Sequence, residues 1–368
     1  MLLIHETIRI HLPRVNQDIV VGNNFIPVLT KFIKDGQFDQ LLLVVDAKVH
    51  ESPRVKMMAG RLKRSLKIPL ILLADTIRKD YNQVGRVLHR MRKFPLSRQS
   101  CLVVIGGGHL GDLMGFIASV YMRGITMVYV PTTLMSQGDS IIGKVAINFM
   151  GEKNLIGSFY SPRYTICDAN FLDSLSPRQI VCGLVEVWKH AIVGRHTSLL
   201  GKVEHLLITG QFTKLPLDII SESLTVKTHF VKSDPYDANG HHRALSLGHT
   251  IANYLERDPM INHGEAVAYG ILFAALIARR MQKLKKSRLE SIVDTFGLFH
   301  RYVEKDRRVV KQMTSSNLLA VLSMDKINTR GCYNFIIPTD SGWGIARNVG
   351  VELIKDVVSD FVARVNAL

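Results

Sequence analysis

Two histidines lie beside glycines in one short stretch, SLGHTIANYLERDPMINHGE (Ser246–Glu265). His249 opens a segment with helical apolar spacing, and His263 follows a break at Pro259 and precedes a second apolar helical pattern. Histidines at the starts of two adjacent helices can converge on one point. With one carboxylate added, such a set suits Zn²⁺ or a similar divalent ion, with coordination positions left open for substrate. Taken singly, each is more often an ordinary packed or surface histidine.

A carboxylate of the required kind lies upstream, in the apolar helical segment GLVEVWKHAI (Gly183–Ile192). Glu186 and Lys189 are three residues apart and therefore share a helix face. An acid set into such a helix either pairs with its lysine or binds a metal ion. Lys227, in LTVKTHFVKSD, is a similar cation on the next predicted helix.

A glycine-rich turn, IGGGHLGD (Ile105–Asp112), directly follows an apolar strand and opens a helix. Glycines let backbone N–H groups approach a diphosphate, and a helix N-terminus favours its negative charge. The turn is not GxGxxG, and a plain tight turn is an equal alternative. Asp46 ends the strand LLLVVD, where it is either an acceptor for an adenosine ribose or a helix N-cap.

The segment Val130–Gly157, VPTTLMSQGDSIIGKVAINFMGEKNLIG, contains further polar candidates. Thr132 and Thr133 follow a predicted strand and either bond a nucleotide or cap a helix. The remaining candidates are Lys144, Lys153 and Asn154. They lie in a region that we predict to be a glycine-punctuated loop, where their donors suit a phosphate, unless the loop is merely solvated.

The elements that position these residues follow from the hydrophobic pattern. The predicted strands are Thr7–His11, Asp18–Val21, Leu41–Asp46, Pro69–Ala74, Cys101–Ile105, Thr126–Val130, Tyr164–Cys167 and, late in the chain, Tyr333–Pro338. The predicted helices of the second half are Pro177–Val193, Leu217–Ser233, Gly248–Glu256, Glu265–Gln282, Leu289–Phe296 and Val351–Val365. We therefore predict an α/β domain with a largely parallel sheet over residues 1–168. A mostly helical domain follows over residues 169–368, and we expect a cleft between the two.

Composition limits the class of protein. The chain has 368 residues, 47 % hydrophobic and 21 % charged, which is typical of a soluble globular protein with a substantial core. We find no signal peptide and no membrane span. Four scattered cysteines are predicted to be buried free thiols in a reducing, cytoplasmic compartment: Cys101, Cys167, Cys182 and Cys332.

The chain is strongly basic, with a net charge of +16 and a pI of about 9.7. A basic surface suits nucleic acid, an acidic membrane or an anionic small substrate. The positive charge looks dispersed, with one denser run at Arg279–Arg288, which we interpret as the solvated end of a helix. No nucleic-acid-binding motif is present.

Seven motifs in order carry a resemblance that runs from about Asp46 to Met281. They are GGGxxGDLxGF, YxRG, VPTTL, GK…N…KNLIG, GLxExxK, GHT and HGEAVA. This order resembles the dehydroquinate synthase family of sugar phosphate cyclases. The resemblance implies an N-terminal nucleotide-binding α/β domain and an all-α C-terminal metal-binding domain, in a homodimer.

The resemblance also implies roles for individual residues. NAD would be bound by Asp46, Gly107, Gly108, Asp112, Thr132, Thr133, Asp139, Lys153 and Ser174. Zn²⁺ or Co²⁺ would be held by Glu186, His249 and His263. The substrate would meet Lys144, Asn154, Lys189, Lys227, His242, Arg243, Asn253 and, from the partner subunit, Arg123. The catalytic residues would be Lys144, Lys189, Lys227 and His263.

The implied reaction explains why these parts occur together. NAD⁺ takes hydride from a ring alcohol whose oxygen the metal polarises. The resulting ketone acidifies the neighbouring C–H, so that phosphate leaves by β-elimination. The hydride then returns, the ring opens, and an aldol step closes a carbocycle. NAD is therefore a catalyst that is not consumed, and much of the remaining work is orientation.

Departures from the family pattern bear on the substrate. Where the family commonly has GHTxxH, the second histidine is replaced by Asn253. The Arg and Asn expected seven and three residues before His249 are replaced by His242 and Ser246, with Arg243 one residue away. These positions help to bind a carboxylate, so they put 3-deoxy-arabino-heptulosonate 7-phosphate in question as the substrate.

Three further stretches depart from the pattern. The loop Asp139–Lys144 is one residue shorter than usual, ADTIRKD (residues 74–80) replaces Gly-Glu-x-x-Lys, and DKI carries Lys326 where a DKK-like pair is common. Other segments resemble 2-deoxy-scyllo-inosose synthase, which cyclises glucose 6-phosphate. They are FDQ at Phe38–Gln40, PRQ at Pro177–Gln179 and the HGEAVAYGILFAA helix.

Two other functions remain open from the sequence. A polyol dehydrogenase of the glycerol dehydrogenase type would share the architecture but would accumulate NADH. A non-catalytic relative that binds a nucleotide or a partner would bind no divalent metal and would release no phosphate.

Overall fold

The structure is a computed structural model that describes residues 3–12, 15–66, 68–74, 78–139, 142–303, 308–323 and 333–368. The chain forms two compact units. The first comprises residues 1–175 and 213–236, and the second comprises residues 176–212 and 237–368. The sequence prediction instead places every residue after 168 in the second domain.

The strands are β1 (Leu3–Leu12), β2 (Val15–Asn23), β3 (Leu41–Asp46), β4 (Leu70–Leu73), β5 (Cys101–Gly106), β6 (Thr126–Pro131), β7 (Val145–Phe149), β8 (Glu152–Ser158), β9 (Tyr164–Asp168), β10 (Tyr333–Thr339) and β11 (Gly342–Val349).

The helices of the first half are α1 (Ile26–Asp35), α2 (Ala47–His50), α3 (Pro53–Leu66), α4 (Tyr81–Met91), α5 (Gly108–Val120) and α6 (Leu134–Gly138). Those that follow are α7 (Pro177–Gly194), α8 (Thr197–Thr209), α9 (Leu217–Ser233), α10 (His249–Leu255), α11 (His263–Arg280), α12 (Lys286–His300), α13 (Arg308–Lys311), α14 (Ser315–Leu322) and α15 (Val351–Ala367). Short 3₁₀ segments cover Tyr121–Arg123, Ala169–Ser174 and His241–Ser246.

The first unit is built on a seven-stranded sheet in the order β1-β2-β9-β6-β5-β3-β4, parallel except for the β1–β2 pair. Its central strands, such as LLLVVD and CLVVIG, are apolar except for the Asp46 that ends β3, because helices cover both faces of a parallel sheet. Leu42 and Val44 join one core cluster, and Leu43 and Val45 join the other. Alternation along β3 therefore defines two cores, one on each face.

The parallel register brings the carboxyl ends of β3, β5 and β6 to one edge of this sheet. Ligands of open α/β sheets bind outside the carboxyl ends of the strands. The glycine-rich turn after β5 and the two threonines after β6 lie at this edge. The predicted nucleotide-binding residues thus occur where such folds bind ligands.

The second unit is mainly helical, as predicted, and α7 and α11 run through its core. Aromatic rings fill the space around them, with Trp188 and Phe299 at 5.1 Å and Phe273 and Phe361 at 5.4 Å between centroids. The late strand β10 pairs antiparallel with β11, which the sequence analysis did not predict. The two-domain fold class is confirmed.

Two other predictions concern membranes and cysteines. In the described residues, no helix is long and apolar enough to cross a membrane. Cys101, Cys167 and Cys182 are buried free thiols, as expected, whereas Cys332 lies outside the described residues.

Candidate active site

Three predicted metal ligands converge in the second unit. Glu186 lies on α7, His249 is the first residue of α10, and His263 is the first residue of α11. One ligand atom from each lies within 4.8 Å of the other two, and the two imidazole centroids are 5.3 Å apart. In the described parts of the chain, these side chains form the only such group of His, Cys, Asp or Glu.

Glycines at the helix crossings let the three helices approach closely enough for this convergence. A Cβ on Gly270 of α11 would lie 1.9 Å from the carbonyl oxygen of Gly248, the residue before His249. A Cβ on Gly264 would lie 2.4 Å from the carbonyl oxygen of Cys182 on α7. Gly248 also has a φ of 84°, which L-residues rarely adopt. Backbone contact between helices therefore fixes the spacing of the ligands.

Hydrogen bonds fix the start of α11, which carries His263. Asn262 and Glu265 form a capping box, in which the Asn262 N–H donates to Glu265 Oε2 at 3.0 Å. Arg178 donates to both carboxylate oxygens of Glu265, at 2.6 and 2.9 Å, and to the Met260 carbonyl at 2.9 Å. A bidentate Arg–carboxylate pair restricts orientation more than a single bond does.

Glu186 is the buried centre of the group, with 1 % of its surface exposed. Lys189 Nζ donates to Glu186 Oε2, and Glu186 Oε1 lies 3.4 Å from His263 Nε2. The sequence left pairing with lysine and metal binding as alternatives. The geometry allows both, because one carboxylate oxygen meets Lys189 and the other faces the histidines.

Opposite pKa shifts distinguish the two histidines. Burial lowers the pKa of His249 to about 4, and the nearby Lys189 adds to this shift. Burial also acts to lower the pKa of His263, but hydrogen bonds to Glu186 and Glu256 outweigh it and raise the pKa to about 9. A neutral imidazole beside a carboxylate and a second imidazole is a donor set that fits Zn²⁺ or Co²⁺.

The glycine-rich turn of the first unit has room for a ligand. Gly107 is the N-cap of α5, and a Cβ on Gly107 would meet only Thr133 Cγ2, at 3.5 Å. Thr132 is 3 % exposed, and its Oγ1 has no hydrogen-bond partner among the described residues. A buried hydroxyl without a partner is costly, so these features fit a polar ligand such as the diphosphate and ribose of NAD.

Two residues with alternative roles act as helix caps. Asp46 Oδ1 accepts from the Lys48 and Val49 N–H groups at 2.9 and 3.4 Å, at the start of α2. Thr133 forms a capping box with Ser136 at the start of α6. The capping interpretations are therefore realised, and a cofactor contact for either residue stays a prediction.

Lys79 was not selected from the sequence, yet it joins two selected residues. It is 8 % exposed, and its Nζ donates to Asp112 Oδ2 and, at 2.6 Å, to Asn154 Oδ1. The sequence analysis noted the stretch ADTIRKD only as a departure from Gly-Glu-x-x-Lys, and the spacing did not reveal these partners, which are 33 and 75 residues away. The contact brings a predicted NAD residue and a predicted substrate residue together around one cation.

Lys153 and Asn154 lie in a hairpin rather than in the predicted loop, whereas Lys144 directly precedes the first strand of that hairpin. Strands β7 and β8 pair antiparallel, and Lys153 is exposed on β8. Asn154 N–H donates to Asn148 Oδ1 at 3.1 Å, whereas Lys144 Nζ lies 6.0 Å from the centre of the Phe159 ring. Lys144 and Asn148 are four residues apart, roughly 13 Å in an extended strand. Lys144 and Asn154 therefore lie towards different ends of the hairpin.

Lys227 and Asp139 are brought together. Lys227 Nζ contacts the Asp139 carboxylate and donates to its backbone carbonyl at 3.2 Å. Ser174 Oγ donates to the Phe171 carbonyl at 3.0 Å within its 3₁₀ segment. The shortened loop after Asp139 lies partly outside the described residues, which resume at 142.

Arg123 occupies a strained and exposed turn of the first unit. Met122 and Arg123 have φ values of 50° and 67°, and Gly124 follows with 123°. A left-handed conformation costs a non-glycine residue about 1 kcal/mol or more, and such strain concentrates at functional sites. Met122 is also 45 % exposed.

The altered positions near the histidines lie on two segments. His242 and Arg243 belong to the 3₁₀ segment, where Arg243 Nε is 3.8 Å from Asp237 Oδ1. Asn253 is exposed on α10, one turn after His249. Lys326 and residues 75–77 of ADTIRKD lie outside the described residues.

Comparison with known families decides the affiliation. Residues 70–182 match the family described as 3-dehydroquinate synthase N-terminal, and residues 183–328 match 3-dehydroquinate synthase C-terminal. The chain belongs to the 3-dehydroquinate synthase family. This confirms the resemblance carried by the seven motifs.

Curated members of the 3-dehydroquinate synthase family match most of the chain. The 3-dehydroquinate synthase of Pelagibacter ubique is 35 % identical over 74 % of this chain and 76 % of its own length. That of Thermoplasma volcanium is 32 % identical over 94 % of this chain and 95 % of its own length. That of Alkaliphilus oremlandii is 29 % identical over 96 % and 97 %.

Solved structures share the fold of this family member. 2-Epi-5-epi-valiolone synthase from Streptomyces hygroscopicus, with NAD⁺ and Zn²⁺ bound, has a TM-score of 0.83 at 23 % identity, over 96 % of this chain and 99 % of its own. A 2-deoxy-scyllo-inosose synthase with carbaglucose-6-phosphate, NAD⁺ and Co²⁺ has a TM-score of 0.82 at 22 % identity, with the same coverage. A butanol dehydrogenase from Thermotoga maritima is more distant, with a TM-score of 0.65 at 13 % identity over 96 % and 99 %.

Proposed function

We propose that the protein is an NAD- and divalent-metal-dependent sugar phosphate cyclase of the 3-dehydroquinate synthase type. It eliminates phosphate from a sugar phosphate and closes a carbocycle. The single observation that carries this proposal is the convergence of Glu186, His249 and His263, whose ligand atoms lie within 4.8 Å of one another.

Glu186, His249 and His263 are the residues that would hold Zn²⁺ or Co²⁺. When bound there, the ion polarises a substrate hydroxyl and lowers its pKa. Lys189 is buried and donates to Glu186, so it neutralises part of the carboxylate charge and keeps one oxygen oriented towards the histidines. We propose that its ammonium group also contacts a substrate oxygen.

NAD⁺ would be held at the carboxyl edge of the sheet in the first unit, where it supplies a reversible hydride acceptor. The glycine-rich turn presents the N-terminus of α5 to a diphosphate, and Thr132 offers its buried hydroxyl. Lys153 is the proposed cation for the cofactor. Related folds support this assignment, since two structural neighbours contain NAD⁺ with Zn²⁺ or Co²⁺.

The substrate is an anionic sugar phosphate. The proposed contacts are Lys144, Asn154, Lys189, Lys227, His242, Arg243 and Asn253. Relatives of this chain that share 29 to 35 % of their residues with it are named 3-dehydroquinate synthase, which favours a heptulosonate phosphate. A specialised cyclase acting on glucose 6-phosphate or a heptulose phosphate is the alternative, because His242 and Ser246 depart from the carboxylate-binding pattern.

We also propose that the enzyme is a cytoplasmic homodimer in which Arg123 reaches the partner's site. The exposure of Arg123 and the left-handed backbone conformation of Met122 and Arg123 support this. The buried free thiols support a reducing compartment. We further propose that residues 1–168 form the nucleotide-binding domain and that residues 169–368 form the metal-binding domain.

A substrate panel tests the function. Purified enzyme is loaded with Zn²⁺ or Co²⁺, given catalytic NAD⁺, and assayed with heptulosonate, heptulose and hexose phosphates for inorganic phosphate. We expect phosphate release from at least one substrate without steady accumulation of NADH. Steady NADH production from a simple polyol, without phosphate release, would instead identify a dehydrogenase of the glycerol type.

A further inference from the structure

Glu256 is a buried carboxylate next to the candidate metal ligands that the sequence analysis did not select. It directly follows α10, and its side chain is 8 % exposed. Glu256 Oε1 lies 2.8 Å from His263 Nδ1, the ring nitrogen that faces away from Glu186. The two nitrogens of His263 are thus divided between two carboxylates.

We propose that Glu256 is a positioning residue that orients His263 and thereby sets the metal affinity of the site. This inference rests on the proposed function, because it assumes that His263 is a metal ligand. In this assignment Glu256 acts on the metal site through its contact with the imidazole ring of His263.

The chemistry of imidazole links Glu256 to the metal site. When Nδ1 carries its proton and donates to Glu256, the lone pair of the neutral ring is on Nε2. Nε2 is the atom that lies 3.4 Å from Glu186 Oε1, within the ligand group. The Glu256 contact therefore selects the tautomer and the ring orientation that a metal ion requires.

The second histidine provides an internal comparison. His249 Nδ1 lies 3.2 Å from the carbonyl oxygen of Leu247, so it also has Nδ1 engaged and Nε2 available. A backbone carbonyl is a neutral acceptor, whereas Glu256 carries a charge. A carboxylate partner makes the ligand more basic, and loss of such partners typically lowers metal affinity. Of the two histidines, His263 is thus the one whose affinity for a cation depends on a removable side chain.

A purely structural role for the Glu256 side chain is less well supported. The end of α10 is already satisfied by the backbone, because the Glu256 N–H donates to the carbonyls of Ala252 and Tyr254. The start of α11 is fixed separately, by Asn262, Glu265 and Arg178. Neither helix therefore needs the Glu256 carboxylate to begin or end where it does.

The test compares Co²⁺ affinity in the wild type, Glu256→Gln and Glu256→Asp by competition with a chromophoric chelator, together with the Co²⁺ absorption spectrum. Glu352→Gln, an exposed acid on α15, is the matched control. We expect the dissociation constant to rise about 10- to 100-fold in Glu256→Gln. Glu256→Asp keeps the carboxylate, so its dissociation constant for Co²⁺ should lie between those of Glu256→Gln and the wild type.

Measurements of the fold and of NAD⁺ binding distinguish a positioning role of Glu256 from general damage to the structure. Circular dichroism and NAD⁺ affinity should be unchanged in Glu256→Gln, since the proposed NAD contacts all belong to the first unit. Wild-type Co²⁺ affinity in Glu256→Gln would overturn the inference, and so would equal affinities in Glu256→Asp and Glu256→Gln. If Glu256→Gln fails to fold, Glu256→Asp decides alone: wild-type affinity and an unchanged Co²⁺ spectrum would overturn the inference.

Failure of the proposed function has a different signature. Suppose that the wild type binds one Co²⁺ per chain and that Glu256→Gln weakens this binding as expected, but that the wild type releases phosphate from no sugar phosphate. That result would refute the cyclase proposal and would leave the role of Glu256 intact.

Discussion

The candidate metal ligands could be predicted at the residue scale because local signals and the family resemblance both point to them. His249 and His263 stand beside glycines at helix starts, and Glu186 is an acid in an apolar helix. Glu256 and Lys79 could not be found this way. The bond of Glu256 to His263 and the bonds of Lys79 to Asp112 and Asn154 depend on how distant segments pack, which side-chain type and spacing do not encode.

Glu186→Gln tests the acid of the triad. The amide retains an oxygen that can accept from Lys189 but loses the charge that a divalent ion requires, so the fold should persist. Loss of a metal ligand should weaken binding more than loss of a residue that only hydrogen-bonds a ligand. Co²⁺ binding should therefore weaken by at least about 100-fold, and turnover should disappear. Metal analysis after dialysis and the phosphate assay measure both. A fully active, metal-loaded variant would remove Glu186 from the site.

Lys153→Ala tests the cation proposed for NAD. Removing a charge-assisted hydrogen bond at an exposed position should raise the dissociation constant of NAD⁺ about tenfold. Isothermal titration of the metal-loaded enzyme measures this, with Lys286→Ala, an exposed lysine of α12, as the control. An affinity equal to that of the control variant would count against the role of Lys153.

At the scale of elements, segments with a strong apolar pattern were predicted well, whereas helix α8 (Thr197–Thr209) and the strands β7, β8 and β11 were missed. Leu41–Asp46 and Leu217–Ser233 match β3 and α9 in full. The β7–β8 hairpin was predicted to be a loop because β8, EKNLIGS, is largely exposed and lacks a buried alternating face. Strand β11, GWGIARNV, was missed because its glycines weaken the strand pattern. In both cases pairing with a neighbour supplies the structure.

The α10–α11 crossing gives a prediction about helix geometry. Gly270→Ala would place a methyl group 1.9 Å from the Gly248 carbonyl oxygen, which must separate the two helices that carry the histidines. We expect a loss of about 1–3 kcal/mol in the free energy of unfolding, together with weaker Co²⁺ binding.

Gly201→Ala on α8 is the matched control, because a Cβ there would meet nothing within 4 Å. It should raise the free energy of unfolding by about 0.5–1 kcal/mol, since alanine restricts the unfolded chain. Denaturant unfolding of both variants provides the measurement. Equal stability and equal Co²⁺ affinity in the two variants would show that the crossing does not set the ligand spacing.

At the scale of the whole molecule, we predicted a dispersed positive charge, but most of the net positive charge lies in one segment. Residues 47–98 contain fourteen Lys and Arg against three Asp and Glu, so they hold eleven of the sixteen net charges. This segment contains α3, β4 and α4, and β4 is the outermost strand on one side of the sheet. In the denser run at Arg279–Arg288, Arg288 has a structural role within the second unit. It donates to the carbonyls of Asp340 and Ile192 at 3.0 and 3.1 Å.

Subunit mixing tests the proposed homodimer. Arg123→Ala and Glu186→Gln should each be inactive alone. In a mixed dimer, one site receives Glu186 from the first variant and Arg123 from the second. Equal mixing after dissociation should therefore restore activity at about a quarter of the sites, as random pairing in a twofold dimer requires. No recovery, in mixtures shown to contain heterodimers, would place Arg123 outside the partner's site.

The central claim is most directly tested by counting inorganic phosphate released per NAD⁺ supplied, in Zn²⁺- or Co²⁺-loaded enzyme with a reactive sugar phosphate. Because the cofactor is regenerated within each cycle, the account predicts many phosphates per NAD⁺ and no net NADH. One NADH formed for every substrate consumed, or no phosphate from any sugar phosphate in the panel, would contradict it.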